Sequence, residues 1–308
     1  MHSYLHKKTN IILKALALNF ALFITTNASA LVLTPDFEVQ IFSNIGAAGV
    51  AVSFENVYAN PVPVCTYVLA DVNDDPATVR IDNLGMTGMT VYLQGTAGAT
   101  LVPGNVHCVI MDEGDYTVAA DGFEAETRFV DSNETNGNGD FVDLTQTEDV
   151  TADITGNYAN PVVIGQVVTS NDPAFSTFWS NICEDRRIPS FEGAGDVCVV
   201  KHSSFITNVS PPVTIETIGC IVFGEAAGVL NGIQFETKRG RDTIVGVDPN
   251  LNTSYNLDNA YDYNFAVAPQ SAEDATSDVI DDTVLAGFTF VANSMTGGDT
   301  LNQTAPNL

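Results

Sequence analysis

Apolar and polar residues alternate along several short stretches of this chain. Val50, Val52 and Phe54 alternate with Ala51 and Ser53, which is the pattern of a strand with one buried face. The same alternation recurs at a further set of positions: Val79, Ile81, Met89, Val91 and Leu93. Residues 220–223 form a continuous apolar run, which is typical of a strand covered on both faces. No stretch after the N-terminal segment has the apolar stripe of an amphipathic helix, so the pattern predicts an all-β protein.

The sequence also repeats itself after about one hundred residues. The Tyr-Ala-Asn-Pro segment at residues 58–61 recurs at residues 158–161, and two further echoes follow in the same order. The echoing segments are 107–113 with 219–225, and 122–127 with 232–237. Ordered matches joined by segments of unequal length are typical of a duplicated domain with variable loops. We therefore expect tandem antiparallel β-sandwich domains in which Pro61 and Pro161 take equivalent places.

The N-terminus has the features of a secretory signal peptide. Residues 7–14 contain three lysines, residues 15–24 form a run that is apolar apart from Asn19, and residues 28–30 (Ala-Ser-Ala) are a small-residue cleavage site. The apolar run is only about half of the roughly 20 residues that a membrane-spanning helix needs. We predict a signal peptide at residues 1–30, no membrane span, and a secreted protein in an extracellular or periplasmic location.

Changes in composition suggest where the domains begin and end. The first sandwich repeat is predicted at residues 31–130 and the second at residues 149–247. The linker between them, residues 131–148, is rich in Asn, Asp and Gly. Residues 248–308 are few for an independent sandwich. We expect this tail to pack on the second repeat, to be partly loose, or to form a truncated third repeat.

The chain is strongly acidic. Its formal net charge is −27, and three of its 11 cationic residues lie in the predicted signal peptide. A field of this sign repels nucleic acid and anionic membranes. The charge suits a protein that stays soluble in salt water or that collects cations. Nucleic acid is therefore excluded as a partner, whereas a glycan or a surface protein is not.

Five cysteines follow the predicted signal peptide, which fits an oxidising compartment. An odd number leaves at least one thiol outside any intramolecular disulfide. Cys183 and Cys198 flank a polar stretch that has no clear counterpart in the first repeat. We predict a disulfide between them, because it would staple this stretch at its base.

The repeat also restricts the remaining three cysteines. Cys108 and Cys220 occupy corresponding positions, whereas Cys65 corresponds to Gly165 in the second copy. A Cys65–Cys108 disulfide is therefore expected in the first copy alone. Cys220 is then left as a small buried thiol in a strand.

A family resemblance accounts for the order of several strand motifs. The motifs are Phe54, Tyr58, Asn60-Pro61-Val62, Arg80-Ile81, residues 84–91 and residues 106–110. This order resembles the H-type lectin pattern, in which an aromatic-Pro-Val strand is followed by an Arg-Ile strand, a Thr-Gly-aromatic strand and a strand bearing a tryptophan. The resemblance covers residues 54–111 and, more faintly, residues 158–223. It implies a six-stranded antiparallel sandwich, often trimeric, that binds sugars such as N-acetylgalactosamine at subunit interfaces.

The functional residues of that family map unevenly onto this chain. The sugar-contacting arginine corresponds to Arg80, but the binding tryptophan falls at Cys108 and, in the second copy, at Cys220. A cysteine cannot replace the aromatic ring on which a sugar stacks. In the second copy the arginine position falls near Thr177 or Phe178.

Each candidate ligand-binding residue has a structural alternative. Arg80 is either a sugar contact or an exposed strand residue paired with an acid such as Asp82. Trp179 is either a core residue of the second sandwich or an exposed platform beside Arg186 and Arg187. A cationic loop flanked by an aromatic residue suits a sugar or an anion on an acidic protein.

Calcium is the one ion that the sequence suggests as a cofactor. Asp71, Asn73, Asp75 and Asp82 fall at positions one, three, five and twelve of an oxygen-ligand loop. Pro76 stands where an EF-hand needs a glycine for its turn, so any calcium site here has a different geometry. The alternative is an Asx-rich turn that binds nothing.

The sequence contains no recognisable catalytic motif. His107 and His202 lie in predicted strands, where a hydrogen-bonded structural histidine is the more common case. No pair of carboxylates stands out as the acid and base of a glycosidase. We therefore predict a non-enzymatic module with lectin-like recognition of extracellular or cell-surface glycans. The alternative is a structural or adhesive surface protein that self-assembles into homo-oligomers without binding sugar.

Overall fold

The computed structural model describes fifteen stretches of the chain. They are residues 29–34, 36–68, 77–95, 98–118, 123–132, 148–149, 161–171, 176–182, 197–203, 215–230, 233–239, 254–256, 265–267, 287–291 and 300–302. Within these stretches there is no helix, and strands account for most residues. The all-β prediction is confirmed.

The strands fall into three consecutive sets. Strand set 1 comprises β1 (Ser29–Thr34), β2 (Phe37–Ile45), β3 (Val50–Ser53), β4 (Pro61–Val68), β5 (Ala77–Gly85), β6 (Gly88–Gly95) and β7 (Gly104–Asp112). Strand set 2 comprises β8 (Gly114–Val118), β9 (Phe123–Ser132), β10 (Glu148–Asp149), β11 (Pro161–Val167), β12 (Ser176–Ile182), β13 (Val197–Ser203) and β14 (Glu216–Gly224). Strand set 3 comprises β15 (Ala226–Leu230), β16 (Ile233–Arg239), β17 (Ser254–Asn256), β18 (Ala266–Val267), β19 (Gly287–Val291) and β20 (Thr300–Asn302).

The same strand order recurs in the three sets. Each set contributes a four-stranded antiparallel inner sheet: β1-β2-β7-β4, β8-β9-β14-β11 and β15-β16-β19-β18. Sets 1 and 2 each add a three-stranded outer sheet, β3-β6-β5 and β10-β13-β12, and set 3 adds the pair β17-β20. We number the inner and outer sheets by their sets.

The repeated proline motif opens equivalent strands, as predicted. Pro61 is the first residue of β4 and lies opposite Asp112, the last residue of β7. Pro161 is the first residue of β11 and lies opposite Gly224, the last residue of β14. Proline has no N–H to donate to the sheet, so the start of an edge strand is a position that it can occupy.

The strand pairing groups residues differently from the predicted domain boundaries. Strand β9 lies in the predicted first repeat, 31–130, apart from its last two residues, but it pairs with β14. Strand β16 lies within the predicted second repeat, 149–247, but pairs with β19 in the predicted tail. The reason is that hairpins β8–β9 and β15–β16 directly follow the central strands β7 and β14. Each hairpin therefore begins the next inner sheet.

The three inner sheets share one central hydrophobic core. Its buried residues come from every set: Phe37, Val62, Val109, Met111, Phe123, Val162, Ile164, Ile221, Phe223, Phe235, Phe265 and Val267 are among them. The contacts between the sheets repeat one arrangement, in which an edge strand of one inner sheet packs on a central strand of another. Strand β4 packs on β14, β11 packs on β19, and β18 packs on β7. Each sheet thus contacts the other two around this central core.

Inner sheets 1 and 2 are covered on both faces. In β7, Val109 and Met111 face the central core, whereas Cys108 and Ile110 face a second core beneath outer sheet 1. In β14 the residues of a third core, under outer sheet 2, alternate with those of the central core in the same way. This explains why β14 is apolar without interruption from Cys220 to Phe223. By contrast, β6 buries Met89, Val91 and Leu93 on one face only, as the alternation predicted.

Candidate functional site

The Tyr-Ala-Asn-Pro motif forms a corner between the two sheets of strand set 1. Tyr58 is buried, and its hydroxyl donates a hydrogen bond to the carbonyl of Ile110 at 3.4 Å. The backbone N–H of Ala59 donates to a carboxylate oxygen of Asp112 at 2.9 Å, and that of Asn60 donates to the other oxygen. The most distinctive sequence motif of the chain therefore fixes the crossing from β3 to β4.

A buried glutamate holds the start of the same loop. Glu38 on β2 is fully buried and accepts hydrogen bonds from the backbone N–H of Glu55 at 3.2 Å and of Asn56 at 2.9 Å. The side-chain amide of Gln40 donates a third bond at 2.8 Å. Burial raises the pKa of Glu38, while the bonds from Asn56 and Glu55 lower it. Sequence reasoning missed this residue.

Strand register shows that this glutamate recurs in the other two sets. Glu126 on β9 lies opposite Val222, and Glu38 on β2 lies opposite Ile110, the corresponding residue of β7. Glu236 takes the same place on β16, and both later glutamates are buried. Each has a polar partner two residues on: Gln40, Arg128 at 3.0 Å and Lys238 at 3.9 Å. The sequence did carry a signal for the two later glutamates, because both echoing segments, 122–127 and 232–237, contain a Glu-Thr pair.

The threonine of that echo makes the same bonds twice. The Thr127 hydroxyl accepts from the N–H of Gly114 at 2.8 Å and donates to the carbonyl of Asp112. The Thr237 hydroxyl accepts from the N–H of Ala226 at 2.9 Å and donates to the carbonyl of Gly224 at 2.6 Å. The motif therefore fastens each hairpin to the strand that precedes it.

The structure corrects both predictions for Arg80. Only 1 % of Arg80 is exposed, so it is neither an exposed strand residue nor placed to touch a sugar on the surface. Its guanidinium donates to the carbonyl of Val167 at 3.0 Å, at the end of β11 in strand set 2. Burial lowers the pKa of Arg80 to about 10, and the neighbouring charge of buried Glu216 opposes that shift. Arg80 is a buried link between two strand sets.

Gln166 supports the same junction. Its side-chain oxygen accepts from the N–H of Cys65 at 2.7 Å, and its amide donates to the carbonyl of Val79 at 2.9 Å. Two residues on, the carbonyl of Val168 accepts from the N–H of Ile81 at 3.1 Å, on the β5 edge of outer sheet 1. Buried polar groups that are satisfied in this way fix the geometry of a contact.

His107 links strand set 1 to strand set 3. Its ring stacks on that of Phe265, with the centroids 5.2 Å apart and the planes 11° from parallel. Its Nδ1 accepts from the N–H of Ala266 at 3.3 Å. Burial lowers the pKa of His107 to about 4, so the ring is neutral at neutral pH and its Nδ1 can accept a hydrogen bond. The prediction of a hydrogen-bonded structural histidine is confirmed here. His202 lies on β13, and its side chain is outside the described part.

The cysteine predictions for the first copy are confirmed. Cys65 and Cys108 lie directly opposite each other on β4 and β7 and form a disulfide. Gly165 lies opposite Cys220, as the repeat required, and Cys220 is a buried free thiol. The predicted Cys183–Cys198 disulfide stays a prediction, because Cys183 and the side chain of Cys198 are outside the described residues.

The predicted cationic loop lies outside the described residues. Trp179 lies on β12, which is an edge strand of outer sheet 2, and only its backbone is described. Arg186 and Arg187 fall outside the described residues. The neighbouring Phe178 is buried in the third core.

The calcium prediction also falls largely outside the described stretches. Asp71, Asn73 and Asp75 precede β5 and are not described, whereas Asp82 is exposed on β5. In the part of the chain that is described, no group of three or more His, Cys, Asp or Glu residues could hold a metal ion.

Comparison of the chain with protein-family models, curated proteins and solved structures found no match. No helix among the described residues is long and apolar enough to cross a membrane.

Proposed function

We propose that this chain is a secreted, non-enzymatic structural unit of an extracellular surface, which assembles with further copies of itself. One observation carries the proposal. Arg80, one of the residues that the sequence suggested for ligand binding, and His107, predicted as a structural histidine, both hold separate strand sets together inside the protein. Both side chains therefore join one part of the folded chain to another.

The arrangement of the inner sheets supports the same function. Three sheets from distant parts of the sequence bury one common core, and buried polar bonds reinforce the contacts of set 1 with set 2 and with set 3. A chain closed on itself in this way resists local opening, because separating any one sheet exposes the core of the other two. The acidic surface keeps such a unit soluble until it assembles.

The test is the association of the mature chain in solution. We expect the sedimentation coefficient to increase with protein concentration, and we expect no saturable binding on a glycan array with or without calcium. A chain that stays monomeric at high concentration would contradict the proposal. Replacing Arg80 by methionine should lower stability without creating or removing any ligand binding, since the side chain is internal.

Lectin-like recognition is retained as a second candidate because of one observation. Trp179 lies on an edge strand, β12, and the cationic residues Arg186 and Arg187 follow within the connection to β13. Saturable binding of a glycan that drops about tenfold in the Arg186→Ala/Arg187→Ala variant, or roughly 1.4 kcal/mol, would favour this candidate. Unchanged affinity in that variant would remove the loop from consideration.

A further inference from the structure

The three hairpins β1–β2, β8–β9 and β15–β16 can be aligned through their second strands. The residues that follow the three buried glutamates take equivalent places, and they are Val39, Thr127 and Thr237. Thr127 lies opposite Gly114, which is the first residue of β8. Thr237 lies opposite Ala226, which is the first residue of β15. The second and third hairpins therefore begin at the same register.

In strand set 1 the same register falls on Leu31. Strand β1 begins at Ser29, and its Leu31 lies opposite Val39. Leu31 therefore takes the place of the first residues of β8 and β15. Ser29 and Ala30 extend β1 by two residues beyond that place. The repeat thus sets the beginning of the first hairpin between Ala30 and Leu31.

The residue opposite this boundary also differs between the sets. Thr127 and Thr237 each join the first N–H of their hairpin to a carbonyl of the strand that precedes it, at Asp112 and Gly224. Val39 has no hydroxyl and cannot make these bonds. Strand β1 is the first strand that the structure describes, so no described strand precedes it. The threonine is therefore missing in the one hairpin that follows the predicted signal peptide.

The sequence points to the same bond independently. A signal peptide ends with small residues at its last and third-last positions. Ala28 and Ala30 meet this requirement for a cut after Ala30. Thr26 and Ala28 are also small and would allow a cut after Ala28, so composition leaves two choices. Only the cut after Ala30 makes the mature chain begin at the register at which β8 and β15 begin.

We propose that the precursor is hydrolysed between Ala30 and Leu31, and that Leu31 is the first residue of the folded protein. A signal peptidase of the exporting cell adds water across this peptide bond, which leaves a carboxylate on Ala30 and an α-ammonium group on Leu31. Three of the five cross-strand pairs of β1 remain, at Leu31, Val32 and Thr34, so the strand persists. This inference rests on the proposed function, because a signal peptide is removed only from a chain that is exported.

The test is the N-terminus of the chain after export. The complete precursor, residues 1–308, is expressed in a secreting host, and the exported protein is collected. We expect N-terminal sequencing to read Leu-Val-Leu-Thr and the intact mass to equal that of residues 31–308. A mature chain that begins at Ser29, or at any other residue, would overturn the inference and leave the proposed function standing. A chain that keeps residues 1–30 and stays in the cytoplasm would contradict both.

A pair of leucine variants tests which enzyme makes this terminus. Ala30→Leu places a large side chain at the last residue before the cut, where a signal peptidase needs a small one, so no chain should begin at Leu31. Thr34→Leu is the matched control, because it adds the same side chain after the cut and should leave the Leu31 terminus unchanged. Both readouts are masses, so they do not depend on folding. An Ala30→Leu chain that still begins at Leu31 would refute the proposed reaction.

Thermal melting tests whether the folded protein begins at this residue. Chains that begin at Ser29, Leu31 and Asp36 are released from a cleavable tag. We expect equal melting temperatures for the first two, because both keep β1 from the register at which β8 and β15 begin. The Asp36 chain lacks β1 and should melt at a lower temperature. A Ser29 chain that melts well above the Leu31 chain, or an Asp36 chain that melts with it, would overturn the boundary.

Discussion

Strands β7 and β14 take equivalent places in strand sets 1 and 2, but different side chains fill the space beside them. Both have nine residues, both are central in their inner sheets, and each lies beside a strand that opens with proline. In set 1 the facing pair is Cys65 and Cys108, joined by a disulfide. In set 2 the facing pair is Gly165 and Cys220, and the ring of Phe178 occupies the space above the glycine. One site is closed by a covalent bond and the other by an aromatic ring.

A second pair on the same strands differs in a related way. His107 on β7 reaches a neighbouring strand through its ring, which accepts the N–H of Ala266. Gly219 takes the same place on β14, where a side chain would meet Val62 and Pro63 at 3.3–3.4 Å. The neighbouring strand therefore approaches the backbone itself. The fold requires a filled contact at these places, and it does not require a particular chemistry.

The largest effect is expected from removing the covalent bond. The Cys65→Ala/Cys108→Ala variant should lose about 4 kcal/mol of unfolding free energy, because the disulfide closes a loop with a sequence separation of 43 residues. Urea denaturation with fluorescence or circular dichroism measures this loss. Cys220→Ala serves as the control that removes a thiol but no disulfide. A loss below about 1 kcal/mol would mean that packing alone holds β4 on β7.

The next effect concerns pH at the His107 contact. Burial holds the pKa of His107 at about 4, below its ordinary value of 6.5, so the unfolded chain binds more protons than the folded protein between those values. The stabilising contribution is complete above pH 6.5 and is lost as the pH falls towards 4, on the order of 3 kcal/mol in total.

His107→Gln isolates this contribution, because glutamine keeps an acceptor for Ala266 and does not titrate. We expect the difference in stability between wild type and variant to change with pH between 6.5 and 4. Denaturation curves at several pH values measure it. Parallel curves for the two proteins would show that this histidine does not sense pH.

A smaller effect is expected from filling the glycine notch of set 2. In Gly165→Ala the added Cβ would lie 2.2 Å from Cε2 of the Phe178 ring, so the buried ring has to move. We expect a loss of about 2 kcal/mol, as for other overpacked cores. Gly85→Ala is the control, because its nearest neighbour would be 3.9 Å away.

A double-mutant cycle sharpens this prediction. Phe178→Leu shortens the side chain over the notch, so Gly165→Ala should cost less in that background than in the wild type. Additive effects would show that the ring and the glycine are not coupled. In that case the Phe178 ring would not be what takes the place of the disulfide in set 2.

The smallest effect is expected at the unpaired cysteine. Cys220 is fully buried, and burial raises the pKa of its thiol to about 12, so almost no thiolate forms at mildly alkaline pH. Cys220→Ala should cost only about 1 kcal/mol. Iodoacetamide should leave Cys220 unlabelled in the folded protein and label it after unfolding. Rapid labelling of the folded protein, or a digest that shows Cys220 bonded to Cys183 or Cys198, would contradict both this prediction and the predicted Cys183–Cys198 disulfide.

The sequence alone determined the features that depend on local periodicity and on the repeat. Alternation identified β3, β5 and β6, because successive side chains of a strand point to opposite faces. The repeated proline motif predicted matching strands, and the matched positions of Cys65 and Gly165 predicted which copy holds the disulfide. These inferences needed only the order of residues, since register in a sheet follows from the pattern of buried positions.

The tertiary structure alone decided which strands share a sheet and what the polar residues do. Arg80 has the local pattern of a solvent-facing strand residue, yet the end of β11 covers it from 87 positions away in the chain. His107 gains its role from Phe265 and Ala266, which are still more distant. The third inner sheet had a weak signal, because Tyr261 precedes Phe265 by the spacing that separates Tyr58 from Val62. Burial and pairing across such distances depend on how the sheets pack, and short-range patterns carry little of that information.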